Sequence, residues 1–196
     1  MMIGKKMKLS RSFYERGTVK VARQLLGKTL TRINQSERLK GKIVETEAYL
    51  GPDDPASRAS ENKTKINELM WEKGGLTIIY MVHGNWLFNI TAEKKGVPGS
   101  VLIRAVEPLT NLEIMKKRRG REKLRELTSG PGKLTQAFGI TKKAHGIDLV
   151  SSEKIYVSNS EKSNGDSDIE SSHRVGVNED LQKKLRFYLS KNKYVS

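Results

Sequence analysis

The stretch KIVETEAYL, residues 42–50, decides the fold because it has the pattern of a strand with an unusual face. It is rich in apolar and β-branched residues, and GPDDP at 51–55 follows it as a turn. Side chains alternate between the two faces of a strand, so one face carries two carboxylates and an aromatic ring. That face consists of Ile43, Glu45, Glu47 and Tyr49. A strand suited to a protein interior thus places two glutamates beside a tyrosine.

The alternation leaves two interpretations of Glu45 and Glu47 open. In the first, both are solvated on a surface face, which composition favours because glutamate is rarely buried without a partner. In the second, one carboxylate lies at the floor of a pocket beside an aromatic ring. There it could accept a proton from water and deliver the water as a nucleophile.

Strand and helix signals continue along the chain and predict a mixed α+β domain with several antiparallel strands. Further strands are expected at residues 28–33, 75–82, 86–91, 101–109, 154–158, 174–177 and 184–189, with a hairpin loop at 34–41. Helices are expected at residues 18–26, 110–119 and 131–138. Thr18 and Thr110 are the expected N-caps of the first two helices, and Gly27 suits the position after the first.

The length of 196 residues predicts one domain, because domains average roughly 150 residues. We assign residues 1–196 to this domain, with a basic extension at 1–11. The polar residues 158–172 contain few apolar side chains and predict a mobile loop.

The net charge of +15 indicates a polyanionic partner, most commonly nucleic acid. The alternative is a basic surface that only keeps the protein in solution. The absence of cysteine excludes disulfides and thiol nucleophiles, and the wide spacing of the three histidines argues against a histidine-rich metal site. The sequence has no apolar run of signal-peptide or membrane-span length, so we expect an intracellular protein.

Two basic stretches are candidates for anion binding. SGPGKL, residues 129–134, places small residues and Lys133 before a helix, where free backbone N–H groups and the helix dipole favour an anion. An ordinary tight loop before a capped helix explains the same pattern. The run KKRRGREKLRE at 116–126 is typical of a solvated helix face, and it could also line a nucleic-acid surface.

The predicted hairpin at 75–91 carries an aromatic stripe and a histidine at its tip. Such a stripe belongs more often to the core than to a base-stacking surface. His83 is the exception, because a side chain at an exposed tip could enter a duplex from which a base has been removed.

Several of these stretches, taken together, resemble the alkyladenine (3-methyladenine) DNA glycosylase family. They occur in the family's order and spacing. They are FYERGTVKVARQLLGKTL at 13–30, VETEAYLGPDDPAS at 44–57, VLIRAVEPL at 101–109, SGPGKLTQAFGI at 129–140, and RVGV at 174–177 with KLRFYL at 184–189. The resemblance runs from about Phe13 to Leu189. It implies a compact single domain with a curved antiparallel sheet, flanking helices and a protruding hairpin that enters the minor groove. It also implies a monofunctional enzyme that flips damaged purines out of DNA and hydrolyses the N-glycosidic bond.

The resemblance assigns a role to each candidate catalytic and base-binding residue. Glu47 matches the glutamate that activates water, and Arg104 matches the arginine that helps to hold the water. Tyr49 and Tyr80 match aromatic residues that stack on the flipped base. Asn89 matches an asparagine that crowds the exocyclic amine of guanine, while Glu45 has no such role and is expected to be structural.

The chain departs from the family pattern at two places in the base pocket. Arg58 occupies the position of a histidine that contacts the flipped base in many members, and a second cation is unfavourable beside a cationic base. HGNWLFN at 83–89 is one residue shorter than the family's hairpin. His83 stands where the family often has a tyrosine wedge.

The resemblance also assigns contacts with the DNA backbone to Ser129, Gly130, Gly132 and Lys133. The expected partner is double-stranded DNA that contains damaged purines, bound by a monomer without cofactor or metal. One alternative is a non-catalytic nucleic-acid-binding protein that keeps the fold. A glycosidase of free nucleosides is the other, and the +15 charge argues against it.

Overall fold

The structure is a computed structural model, and it describes residues 8–60, 62–160 and 168–196. These residues form eight strands in one antiparallel sheet. The strands are β1 (Thr29–Asn34), β2 (Glu37–Tyr49), β3 (Thr77–Val82), β4 (Asn85–Thr91), β5 (Ser100–Pro108), β6 (Ile155–Ser158), β7 (Ile169–Ser172) and β8 (Arg186–Leu189). The sheet curls into a half-barrel, so the predicted α+β class with a curved antiparallel sheet is confirmed.

The helices are short. They are α1 (Arg11–Tyr14), α2 (Thr18–Leu25), α3 (Leu112–Arg119), α4 (Arg125–Thr128) and α5 (Pro131–Phe138). Short 3-10 turns cover Arg58–Ser60, Glu68–Trp71 and Lys142–Ala144. No helix within the described ranges is long and apolar enough to cross a membrane.

Strand β2, which contains the stretch quoted first, is the centre of the sheet. One edge pairs with β5, and the other pairs first with β1 and then with β8. Every residue from Ile43 to Ala48 is buried, so both faces of the strand are covered. The interpretation in which Glu45 and Glu47 are solvated is therefore wrong. A strand covered on both faces also explains why apolar residues dominate this stretch.

Helix α2 covers the face of β2 opposite the glutamates. Its side chains Val21, Ala22 and Leu25 are fully buried, and Thr46 Oγ1 donates a hydrogen bond of 2.9 Å to the carbonyl of Ala22. Burial of a valine or leucine side chain contributes about 1.5–3 kcal/mol. This packing fixes which face of β2 points the other way, toward the functional site.

The hairpin of β3 and β4 is confirmed, but its turn has two residues instead of the expected three. His83 and Gly84 both have positive φ, at 46° and 77°, and Val82 pairs with Asn85. Two-residue hairpin turns of this type require positive φ at both positions. The shortened sequence at 83–89 is therefore accommodated by a tight turn. Thr135 Oγ1 of α5 donates to the carbonyl of Trp86 at 2.7 Å and ties the hairpin to that helix.

Two predicted helix caps are wrong. Gly17, not Thr18, precedes α2, and the backbone N–H and Oγ1 of Thr18 both donate to the Glu93 carboxylate. A carboxylate from a distant segment thus performs the capping, which is favourable at a helix N-terminus. Asn111, with φ 53°, precedes α3, so Thr110 is not its cap either. Gly27 has φ 79° after α2, as expected.

Some predicted loops and strands also differ. The loop at 34–41 shrinks to a turn at 35–36, because β2 begins at Glu37. Residues 174–177 form a loop and not a strand. The mobile loop predicted at 158–172 is wrong at both ends, where Ser158 belongs to β6 and Ile169–Ser172 is β7, and its centre at 161–167 lies outside the described residues. Of the predicted extension, residues 1–7 lie outside them too, while Leu9 is buried.

Candidate active-site cleft

A cleft of about 940 Å³ opens between the hairpin, the first turn of α5 and the loop before β8. Most side chains that the sequence analysis selected line it. They are Tyr49, Arg58, Tyr80, His83 and Arg104, together with Gly130, Gly132 and Lys133 of the α5 region. The sheet supplies the floor, while loops and the hairpin supply the walls.

Glu47 lies directly beneath this floor, and its carboxylate is fully buried. Oε1 accepts a hydrogen bond of 2.8 Å from the backbone N–H of Val175 and is 3.2 Å from Arg104 Nη1. Oε2 accepts a hydrogen bond of 2.8 Å from the Tyr49 hydroxyl. A carboxylate has about four acceptor positions. Three are filled by groups in the described part of the chain, so one position on Oε2 remains for a further donor.

Arg104 reaches the carboxylates because the strand register shifts beside it. Thr46 pairs with Ile103 but Glu45 pairs with Ala105, which leaves Arg104 as an extra residue of β5. Such shifts often redirect a side chain next to a functional site. Its Nε lies 2.9 Å from Glu45 and its Nη1 3.2 Å from Glu47. Burial alone would lower the pKa of Arg104, but the carboxylates of Glu47 and Glu45 raise it above its usual value.

Glu45, two residues before Glu47 on the same face, has a fuller set of partners. Its Oε1 accepts from Arg104 Nε, from Arg186 Nε at 2.7 Å and from Ser196 Oγ at 3.0 Å. Its Oε2 accepts from the backbone N–H of Ser196 at 2.6 Å. Four donors contact Glu45, and two of them are arginines that balance its charge, which suits the structural role expected from the resemblance.

Tyr49 and Tyr80 form the aromatic part of the cleft, each with an arginine against its ring. The guanidinium carbon of Arg174 lies 4.7 Å from the ring centre of Tyr49, and that of Arg58 lies 4.5 Å from that of Tyr80. Burial, reinforced by the Glu47 charge, raises the pKa of Tyr49, which therefore keeps its proton for the bond to Glu47. Burial also raises the pKa of Tyr80, opposed by Arg58 and by hydrogen bonds from Arg58 and Asn89.

Arg174 is held by two aspartates behind Tyr49. Its Nη2 lies 2.7 Å from Asp54 and 2.6 Å from Asp180, and its side chain is fully buried. Burial alone would lower the pKa of Arg174, but hydrogen bonds to both aspartates raise it. This clamp fixes the loop at 174–177, and the next residue along, Val175, donates its N–H to Glu47.

Asn89 and Ser129 do not line the cleft. Asn89 is 1% exposed, and its Nδ2 donates to the carbonyl of Ile78 at 3.4 Å. It pairs with Leu102, which in turn pairs with Glu47, so the three lie in one row across the sheet. Ser129 is mostly buried beside the first turn of α5, and its Oγ has no partner among the described residues.

The rim of the cleft is basic and more open. His83 is exposed at the hairpin tip, and Lys133 lies in the first turn of α5. A Cβ on Gly132 would lie 2.8 Å from the side chain of Asn85, so a glycine lets this turn pack against the hairpin. Gly130 has φ 135°, a conformation that favours glycine. Arg119 of α3 adds a further cation to the same wall.

Several residues that shape the site were missed by the sequence analysis. They are Asp54, Arg174, Val175, Asp180, Arg186 and Ser196. Their contacts link positions up to 151 residues apart, as in the bond from Ser196 to Glu45. Periodicity reports only local structure, so it carries no signal for such pairs. The sequence analysis assigned Asp54 only to a turn, and it assigned Arg174 to a strand.

The described residues contain no group of three or more histidine, aspartate or glutamate side chains that could hold a metal ion. The buried carboxylates are each engaged by arginines. Charge in the site is therefore balanced by guanidinium groups.

Comparison with known proteins assigns the chain to a class. The sequence model of the methylpurine-DNA glycosylase family matches residues 12–193. A protein of Clostridium perfringens (strain SM101 / Type A) named "Putative 3-methyladenine DNA glycosylase" is 42% identical over 203 residues, which covers 97% of this chain and 99% of that protein. Proteins with the same name from Chlorobium phaeobacteroides and Methanocella arvoryzae are also 42% identical, over 94% and 92% of this chain and 94% and 91% of their own lengths.

These similarities define a DNA-repair enzyme of the DNA glycosylase class, with DNA as its substrate. The chain belongs to the methylpurine-DNA glycosylase family. The family resemblance noted in the sequence is thus confirmed.

Proposed function

We propose that the chain is a monofunctional DNA-3-methyladenine glycosylase of type II, which flips alkylated purines out of duplex DNA and hydrolyses their N-glycosidic bonds. One observation carries the proposal. A fully buried carboxylate, Glu47, lies beneath a cleft with aromatic walls and is contacted by Tyr49 and Arg104, both of which line that cleft. The proposed substrates are 3-methyladenine and, by extension, 7-methylguanine or hypoxanthine.

The aromatic walls suit a flipped purine. Tyr49 and Tyr80 line the same cleft and a smaller recess that continues from it. Aromatic faces stack on any purine and attract an electron-poor ring most strongly. An alkylated purine is cationic, so it is both a good stacking partner and a good leaving group.

Glu47 supplies the base for the hydrolysis. As the bond between the sugar C1′ and the purine N9 breaks, its electron pair leaves with the base, and the cationic purine departs neutral. Water attacks C1′ and transfers its proton to the remaining acceptor position of Glu47. The carboxylate also stabilises the positive charge that develops on the sugar, as in other glycosyl hydrolyses. Arg104 pairs with the carboxylate at 3.2 Å and helps to orient the water.

The basic residues on the rim of the cleft bind the DNA backbone. Lys133, Arg119 and the N-terminus of α5 lie on one side of the cleft, where they suit phosphate groups. His83 at the hairpin tip takes the place of the extruded nucleotide in the duplex. Asn89, beneath the floor, limits the depth available to the 2-amino group of guanine.

The test is a base-release assay on methylated duplex DNA with Glu47→Gln. Glutamine keeps the size of the side chain but accepts no proton, so the excision rate should fall by about 10²–10⁴. Binding to the same DNA should stay close to that of the wild type. Glu72→Gln, which changes the same charge at an exposed ion pair with Lys95, is the matched control and should retain activity.

Excision that survives Glu47→Gln at the wild-type rate would remove Glu47 from the mechanism. Salt-dependent DNA binding without release of any base from alkylated or deaminated DNA would instead favour the non-catalytic DNA-binding alternative. Release from free nucleosides at a rate comparable to that from DNA would favour the nucleosidase. Activity should be the same with and without EDTA.

A further inference from the structure

Arg58 places a permanent positive charge against the proposed base-binding walls. Its guanidinium carbon lies 4.5 Å from the ring centre of Tyr80. It lines both the cleft and the smaller recess that also contains Tyr49, Tyr80 and Ser100. A purine in the cleft that contacts both tyrosines therefore lies close to this guanidinium group.

The backbone of Arg58 is anchored, so its position is a feature of the fold. The residue begins the 3-10 turn Arg58–Ser60, and its carbonyl accepts a hydrogen bond of 2.8 Å from Asn67 Nδ2. Asn67 is only 1% exposed, and the next residue after the arginine, Ala59, is buried as well. The guanidinium group is thus directed from a fixed point at the edge of the recess.

The chemistry of a guanidinium group discriminates between damaged purines. It stays protonated, has five N–H donors and has no acceptor. A cationic N-alkylated purine meets a like charge there. In addition, 3-methyladenine presents an amino group at position 6 and 7-methylguanine has a methyl group on N7, so neither offers two adjacent acceptors.

A neutral 6-oxopurine offers what the guanidinium group needs. Its O6 and N7 are adjacent acceptors, the pattern that arginine binds with two parallel hydrogen bonds in DNA recognition. Hypoxanthine has this edge and lacks the 2-amino group of guanine. Guanine shares the edge but carries a 2-amino group, which the role proposed for Asn89 disfavours.

We propose that Arg58 is a specificity-determining residue that shifts excision from cationic N-alkylated purines toward neutral 6-oxopurines such as hypoxanthine. The proposal rests on the proposed glycosylase function. It concerns the ratio of the rate of hypoxanthine excision to the rate of alkylpurine excision by the same protein, and the absolute value of either rate does not matter.

The experiment measures single-turnover excision from duplexes that carry one hypoxanthine or one 7-methylguanine, and from methylated DNA that contains 3-methyladenine. Arg58→Gln removes the charge, so the ratio of hypoxanthine to alkylpurine excision should fall by about tenfold or more. Arg58→Lys keeps the charge but loses the planar fork. It should keep the discrimination against cations and lose the gain for hypoxanthine. A loss of folding would lower all three rates together and leave the ratios unchanged.

Arg38→Gln is the matched control, because Arg38 is exposed on β2 away from the cleft and its loss changes the net charge equally. Its ratios should equal those of the wild type. Urea unfolding checks that Arg58→Gln is folded, and ratios within twofold of the wild type in the folded variant would overturn the inference, even if Glu47→Gln abolishes all excision. If no substrate releases a base, the proposed function fails and the inference fails with it. If the wild type excises guanine from undamaged DNA faster than Arg58→Gln does, the proposed exclusion of guanine by Asn89 is wrong.

Discussion

The floor and the rim of the cleft use positive charge in opposite ways. On the floor, Arg104 lies between two fully buried carboxylates, and its own side chain is 8% exposed. On the rim, Lys133 of α5 and Arg119 of α3 line the cleft on separate elements. Charge on the floor is paired and fixed, which suits a reaction that needs an oriented carboxylate. Charge on the rim remains accessible to a polyanion, so binding and chemistry should respond to different substitutions.

The largest effect on stability is expected on the floor, from Glu45→Gln. This change leaves the guanidinium groups of Arg104 and Arg186 with a neutral partner in a buried site, which costs about 3–5 kcal/mol of unfolding free energy. Excision should fall too, because Arg104 loses one of the two groups that orient it. Urea unfolding and excision rates measure both effects.

Glu107→Gln is the matched control for that prediction. Glu107 also lies on a central strand and pairs with Lys42 at 2.7 Å, but its side chain is 29% exposed. A partly exposed ion pair contributes about 0–1 kcal/mol. Equal losses of stability in the two variants would mean that burial does not separate the floor from the surface.

Local sequence patterns predict the features of the cleft that depend on neighbouring residues. They do not predict the contacts between segments that are distant in the chain. Strand alternation correctly placed Glu45, Glu47 and Tyr49 on one face, and turn and glycine signals located the hairpin and α5. Alternation could not tell that both faces of β2 are covered, because β5, β8 and α2 come from distant parts of the chain. The register shift at Arg104 and the clamp of Arg174 by Asp54 and Asp180 depend on tertiary packing. The family resemblance selected the candidate catalytic residues, while the residues that contact and support them were found only from the structure.

A smaller effect, on binding alone, is expected on the rim from Lys133→Gln. Loss of one phosphate contact should weaken DNA binding severalfold and reduce the slope of log K against log salt by about 1. The unfolding free energy should stay within about 0.5 kcal/mol of the wild type, because surface substitutions rarely change it more. Titrations at several salt concentrations measure the slope. An unchanged slope would show that Lys133 makes no contact with phosphate.

An effect confined to alkaline pH concerns the proton of Tyr49. Burial raises the pKa of Tyr49 above its usual value near 10. Above pH 10 the unfolded chain loses this proton and the folded chain keeps it, so the unfolded state binds fewer protons and stability falls as pH rises. Below pH 10 both states are protonated, and Tyr49 contributes no pH dependence.

Tyr49→Phe removes that contribution and leaves the other tyrosines unchanged. Between pH 10 and 11 the wild type should lose up to about 1.4 kcal/mol per pH unit more than the variant. Urea unfolding at several pH values provides the comparison. Parallel curves for the two proteins would mean that Tyr49 ionises as easily when folded as when unfolded.

The central claim is that Glu47 activates water against the sugar of a nucleotide held between Tyr49 and Tyr80. A crystal structure of Glu47→Gln with a duplex that contains an excisable alkylated purine tests it most directly. We expect an intact nucleotide with its base between the two tyrosine rings, and its C1′ facing a water molecule near Arg104 and the substituted side chain. A lesion that remains stacked in the duplex, or a base bound away from Tyr49 with the substituted side chain shielded from its sugar, would contradict the account.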